Sequence, residues 1–225
     1  MKILAVVIFI ILIVLIYVLY KLLSKTTTKI SGFSDASTTI TGASQPKTQN
    51  NAFSFWFYIS SWTSGPKDPL IQLNQSGASS SYMSAKLDTT NNTLIIEIKS
   101  TTSSSSSPVA TVTITDIRLQ KWNHIIISVN GNVVDVYLDG KLVKTQIASA
   151  IPSTTSGNFE PKIGGAGNKG FISSALYKND YITPEEAWNI YSMGYTGAGL
   201  FDFVNRYKLN FSITKDDQEA VSFSV

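Results

Sequence analysis

Residues Ile3 to Tyr20 form eighteen consecutive apolar positions, bounded by Lys2 on one side and by Lys21, Lys25 and Lys29 on the other. In a helix rising about 1.5 Å per residue, Ile3 to Leu23 spans roughly 31 Å, the thickness of a bilayer's hydrocarbon core. Backbone crosses that core only with its polar groups satisfied internally, and this run has no Gly or Pro to break a helix. Ile3 and Leu12 belong to the span and Tyr20 to its edge. The stem of Lys21 is long enough to return its ammonium to the headgroups. A secretory signal has a shorter apolar region and a small-residue cleavage site. Here the exit reads Tyr20-Lys21-Leu22-Leu23-Ser24-Lys25. Residues 1–24 are therefore expected to be an uncleaved single-pass anchor with the lipid bilayer as partner.

Lys21, Lys25 and Lys29 follow the span, against Lys2 and the α-amino group before it. This balance favours a cytosolic C-terminal domain. The absence of cysteine is compatible with that side. Three Asn-x-Ser/Thr triplets, at Asn74, Asn91 and Asn210, point the other way, but they arise easily in a chain rich in Asn, Ser and Thr.

The remaining ~200 residues suit one all-β domain. A net charge of +3 without a basic stripe interleaved with aromatics gives no support to nucleic-acid binding. With no Cys and one histidine, His124, a Cys/His zinc site is excluded and a thiol nucleophile or Ser-His-Asp triad nearly so.

Residues 25–51 are Thr-, Ser-, Lys- and Gly-rich and read as an extended linker, ordered by what it touches. From Ala52 onward Phe53, Phe55, Phe57 and Ile59 alternate with Ser54, Trp56, Tyr58 and Ser60, the period of a strand. Further strands are expected over 69–75, 82–87 and 93–99, and the Ser-rich run 101–108 as a flexible loop. Ile125–Val129, Val133–Leu138 and Lys141–Val143 are separated by Asn130-Gly131 and Asp139-Gly140, dipeptides that supply the positive φ of tight hairpins. Thr183-Pro184-Glu185-Glu186 predicts a helix over Pro184–Met193 with Thr183 as N-cap and Gly194 as its stop. Alternation over Tyr207–Ile213 and Val221–Val225 predicts a closing hairpin, so that the β-domain runs over 52–225.

Taken in order, several segments resemble the concanavalin A-like (laminin G / pentraxin-like) jelly-roll sandwiches. They are Phe53–Tyr58, Trp122–Ser128, Val136–Gly140, Ile163-Gly164-Gly165, Gly170–Ser173 and Tyr181–Glu186. The resemblance implies a two-sheet sandwich with one short helix, preceded here by a transmembrane helix. The anchor together with the terminal Tyr207-Lys208-Leu209 hairpin is also similar to proteins encoded by large DNA viruses.

Glucanases of this family place paired carboxylates on one strand face. This chain has no Glu-x-Asp or Glu-x-x-x-Glu on any expected strand: Glu97 and Glu160 stand alone, and Glu185-Glu186 are helix N-terminal charges. No catalytic residue is assigned. Calcium-binding relatives cluster oxygen ligands, and where many have Asp after Gly-x-Ile this chain has Ser173. Asp88, Asn91 and Asn92 are accounted for by a turn. No metal or other cofactor is expected. Gly164-Gly165-Ala166-Gly167 lacks the context of a dinucleotide fingerprint. Trp122 is expected in the core and His124 as a hydrogen-bonded edge residue.

Two functions remain. The first is a non-catalytic structural protein, a minor capsid component linking a virion's inner membrane to its protein shell, with other capsid proteins as partners. The alternative is a membrane-tethered carbohydrate-binding module, in which Trp56 and Trp62 form a stacking platform, Asn168 supplies a polar contact, and glycan is the partner.

Overall fold

The computed structural model describes residues 12–17, 27–76, 81–101, 107–150, 152, 157–196, 210–215 and 218–224, the last two segments as backbone. Residues 12–17 are helical, with every side chain at least half exposed, from Ile13 at 50% to Tyr17 at 61%. The rest of the expected anchor, including Ile3, Tyr20 and Lys21, lies outside the described residues, as does 102–106 of the Ser-rich loop. Among the described residues, no helix is long and apolar enough to cross a membrane.

The chain opens with four short strands, β1 (Thr27–Ser31), β2 (Ser34–Asp35), β3 (Ile40–Thr41) and β4 (Gln45–Pro46). Longer ones follow: β5 (Asn51–Ile59), β6 (Ile71–Gln75), β7 (Ser81–Leu87), β8 (Leu94–Ile98) and β9 (Ala110–Ile114). Next come β10 (Trp122–Asn130), β11 (Val133–Leu138), β12 (Lys141–Ile147), β13 (Asn158–Ile163) and β14 (Gly170–Lys178). Helix α1 (Pro184–Ser192) precedes a separate hairpin of β15 (Asn210–Lys215) and β16 (Gln218–Ser224).

One antiparallel sheet runs β1-β14-β5-β10-β11-β12, with β2 also on β14. The other runs β3-β13-β6-β7-β8-β9, with β4 also on β13. Phe53, Phe55, Phe57 and Ile59 point between the sheets at 0–1% exposure, where they meet Leu73, Met83, Ile96 and Phe159. Each such side chain, fully removed from water, stabilises the fold by roughly 1.5–3 kcal/mol. The other phase of β5 faces α1: Ala52, Ile126 and Tyr137 pack against Ile182 and Ala187 in a second, smaller core. Thr183 caps α1 with both halves of a capping box, its hydroxyl accepting from the Glu186 N–H while the Glu186 carboxylate accepts from the Thr183 N–H.

Two sequence expectations are corrected. Residues 27–51 of the expected linker are part of the sandwich itself, because β1 and β2 bond to β14 and β3 and β4 bond to β13. Ala36 and Gln45 are buried at 0% and 4%. The partners of this segment lie more than a hundred residues further on, so no local periodicity announces it. The first hairpin loop is Gly131-Asn132, one residue later than expected, since Asn130 pairs with Val133 and Gly131 takes φ +60°. Asp139-Gly140 is the second loop as expected, with φ values of +50° and +76°.

Candidate functional site

The register of the first sheet sets Phe171 opposite Tyr58 and Tyr58 opposite Trp122, while Phe33 precedes the pairing of Asp35 with Phe171. The result is an aromatic row crossing four segments at one end of the strands. Phe33 stacks on Phe171 with centroids 5.0 Å apart, Tyr58 lies 6.3 Å from Phe171 and 5.7 Å from Trp122, and Trp122 stacks on Tyr195 at 4.5 Å. Phe33 is 63% exposed, Phe171 37% and Tyr195 40%. The Ser173 and Ser174 hydroxyls both donate to the Tyr195 carbonyl, holding the chain after α1 over Trp122.

Phe171 also walls a shallow open groove of about 460 Å³, lined by Asp35, Ser37, Ser60, Asn168 and Lys169 among others. Asp35 Oδ1 accepts from the backbone N–H and hydroxyl of Ser37, and these bonds hold its carboxyl below the usual carboxylate range. Asn168 is 2% exposed; its Nδ2 donates to the carbonyls of Asp68 and Gly165, fixing the 164–170 loop. Its Oδ1 finds no donor among the described residues. A buried amide oxygen left unpaired costs about 1–3 kcal/mol, and this one is sealed from solvent beneath the loop, so Asn168 acts on the groove by holding the loop in shape.

The residues singled out from sequence fare unevenly. Asn168 lies in the groove. Trp56 is 7% exposed, stacked under Tyr191 of α1 at 5.3 Å and beside His124 at 4.7 Å, so it offers no face to a sugar. Trp62 packs against the main core with Lys67 Nζ 4.5 Å over its ring. The three do not form one platform. Trp122 is half-buried on the outer face and not in the core. His124 sits on interior strand β10, fully buried, and not at an edge. Two of the missed aromatics carried a signal: Tyr58 falls on the outer phase of β5, and the register sets Trp122 opposite it on β10.

Ser54 Oγ and His124 Nε2 are 2.8 Å apart, yet both residues are buried, and His124 Nδ1 has no partner among the described residues. Asp139 accepts from the His124 backbone N–H and not from the ring. Burial drives the imidazole pKa down to about 3, so the ring is neutral at ordinary pH. Glu97 pairs with Lys86 at 3.2 Å and Glu160 accepts from Ser76, on β8 and β13 of the same sheet with two strands between them. At ~4.8 Å per strand step that separates their strands by roughly 14 Å, beyond the spacing of either glycosidase class. Asp88 Oδ2 accepts from the Asn91 N–H and the Thr90 hydroxyl, the bonding of a turn. Among the described residues, no group of three or more His, Cys, Asp or Glu could hold a metal ion.

A family model described as the concanavalin A-like lectin/glucanases superfamily matches residues 32–177. No curated protein matches the sequence. Among solved structures, the receptor-binding domain of botulinum neurotoxin D is similar at 13% identity and TM-score 0.57, covering 73% of this chain and 44% of that one. The serotype D ligand-binding domain in complex with N-acetylneuraminic acid is similar at 13% identity and TM-score 0.54, covering 73% and 43%. A heptameric SAP-like pentraxin from Limulus polyphemus is similar at 14% identity and TM-score 0.56, covering 74% and 83%. The chain thus spans less than half the length of the neurotoxin structures it matches.

Proposed function

The chain belongs to the concanavalin A-like lectin/glucanases superfamily, and from that premise we propose that it is a membrane-tethered, non-catalytic glycan-recognition domain. The observation that carries this reading is the exposed Phe33–Phe171 stack beside a groove lined by Asp35, Ser37, Ser60 and Lys169. An aromatic face takes the apolar side of a pyranose ring, and a few convergent polar groups select its hydroxyls. The serotype D domain solved with N-acetylneuraminic acid gives a precedent for sugar chemistry on this scaffold, at the level of fold analogy. The wide separation of Glu97 from Glu160 and the sealed Ser54–His124 pair support recognition without turnover.

The anchor is part of the proposal. Its support is the apolar run Ile3–Tyr20 and the helical, outward-facing side chains of 12–17. Glycan recognition puts the domain on the side of the membrane where glycans are displayed, against the one-charge lysine balance. Full-length protein in nanodiscs on a glycan array tests the reading. Selective binding that Phe33→Ala/Phe171→Ala abolishes is expected, and an array silent to the wild type sinks it.

The structural reading, a bridge between a virion membrane and its shell, has one observation in its favour. Edge strand β12 exposes every residue, including Leu142, Val143 and Ile147, beside Trp188 at 51% exposure. An unpaired apolar strand edge invites pairing with another chain. Assembly lost on Val143→Pro, with glycan binding absent throughout, would move the weight to that role.

A further inference from the structure

Resting on the anchor and glycan reading above, we propose that the groove faces away from the bilayer that holds the chain, so that it engages glycans on an opposing surface and not glycolipids of its own membrane. The inference comes from where the tether joins the sandwich. Thr27, the first residue of β1, pairs with Lys178, the last residue of β14. The same end of the sheet carries Ala52, Asn130 and Val133, because Lys178 pairs with Ala52 and Asn130 with Val133. Phe171, Tyr58 and Trp122 are at the other end. Strand β14 runs the whole distance, and its eight steps from Gly170 to Lys178 span about 26 Å.

The tether is too short to undo that arrangement. From Tyr20 to Thr27 there are seven residue steps, at most about 25 Å when fully extended. If the span runs to Leu23, four steps remain, about 14 Å. Turning the groove toward the headgroups would lift Thr27 by the length of β14, which uses or exceeds the entire tether. The tethered end also presents side chains suited to a membrane surface. Ile147 is 66% exposed and Tyr181 37%, and Lys29 is exposed on β1. The groove end, with Asp35, Ser37 and Lys169, is polar around its aromatic row.

The native chain has no cysteine, so single labels are clean. Full-length Asn132→Cys (tethered end) and Lys121→Cys (groove end), both at exposed positions, are labelled with a donor fluorophore in nanodiscs containing a headgroup-labelled acceptor lipid. Transfer from position 132 is expected to exceed that from 121 by about twofold or more, given the ~26 Å between the two ends. Equal or reversed transfer overturns the orientation whether or not any glycan binds. In a second arm, proteoliposomes are mixed with beads bearing a glycan that the detergent-solubilised full chain binds. Clustering that persists when the same glycan is placed on a lipid of the proteoliposome is expected. Failure to cluster, or its loss to glycolipid in the same membrane, overturns engagement across a gap while leaving glycan recognition itself intact. If the solubilised chain binds no glycan, recognition falls and the transfer arm still decides the orientation.

Discussion

Replacing Gly140 with valine should cost more than the same change at Gly131, and the difference measures how tightly α1 lies on the sheet. Both glycines sit at positive φ, +76° and +60°, where a β-branched residue carries about 1–3 kcal/mol of backbone strain. Around Gly131 a new Cβ meets nothing within 4 Å, so strain is its whole cost. At Gly140 the Cβ would lie 3.0 Å from Tyr191 Cβ and 3.1 Å from Trp188 Cε3, before the two valine methyls are added. Forcing those atoms into a packed contact adds about 1–3 kcal/mol. For a domain of this size each kcal/mol shifts the melting temperature by roughly 2–4 °C. Gly140→Val should therefore melt about 2–12 °C below Gly131→Val in circular dichroism scans of the same preparation. Near-ultraviolet dichroism should change with it, because Tyr191 stacks on Trp56. Equal melting temperatures for the two variants would show that α1 does not rest on the Asp139-Gly140 turn, and the buried position of Trp56 would then lose its explanation.

Other outcomes follow from the same contacts. His124 titrates near 6.5 when unfolded and near 3 when folded, so the unfolded chain takes up a proton first as pH falls. Its stability contribution is full above pH 6.5 and declines through the window down to 3, by about 3 kcal/mol at pH 4.5. Urea midpoints at pH 7 and 4.5 should show this, with a smaller pH dependence in His124→Gln. Thr183→Ala removes the capping-box hydroxyl and should cost about 1 kcal/mol in urea unfolding, while Thr183→Ser should cost much less. Deleting Met1–Ser24 leaves β1 whole and should abolish flotation with liposomes; a truncated protein that still floats would contradict a single anchor.

Much of the fold was legible locally. The alternation of Phe53, Phe55 and Phe57 with Ser54, Trp56 and Tyr58 assigned the two faces of β5 correctly, because one phase faces the opposite sheet. Thr183 and Gly194 bounded α1 because capping is a short-range interaction, and Gly194 takes φ +75°. What escaped was decided across the chain. Segments β1–β4 hold few large apolar residues and acquire strand geometry only from β13 and β14. Trp56 carries the composition of a sugar platform, and its cover comes from Tyr191, 135 residues later, with Tyr195 edge-on to it. The candidate site joins Phe33 to Phe171 across 138 residues, so neither reads as functional in its own segment.

The most direct test is titration of full-length protein in nanodiscs with a soluble form of a glycan selected by the array, comparing Phe171→Ala with Tyr181→Ala. The two residues have the same 37% exposure; Phe171 lies near the start of β14, and Tyr181 follows its other end. Removing a stacked ring from a contact costs about 1–3 kcal/mol, so Phe171→Ala should weaken binding by about fivefold or more. Tyr181→Ala should leave the affinity unchanged. Equal affinity for Phe171→Ala and the wild type, or a loss confined to Tyr181→Ala, would contradict the assignment of the aromatic row and its groove as the recognition site.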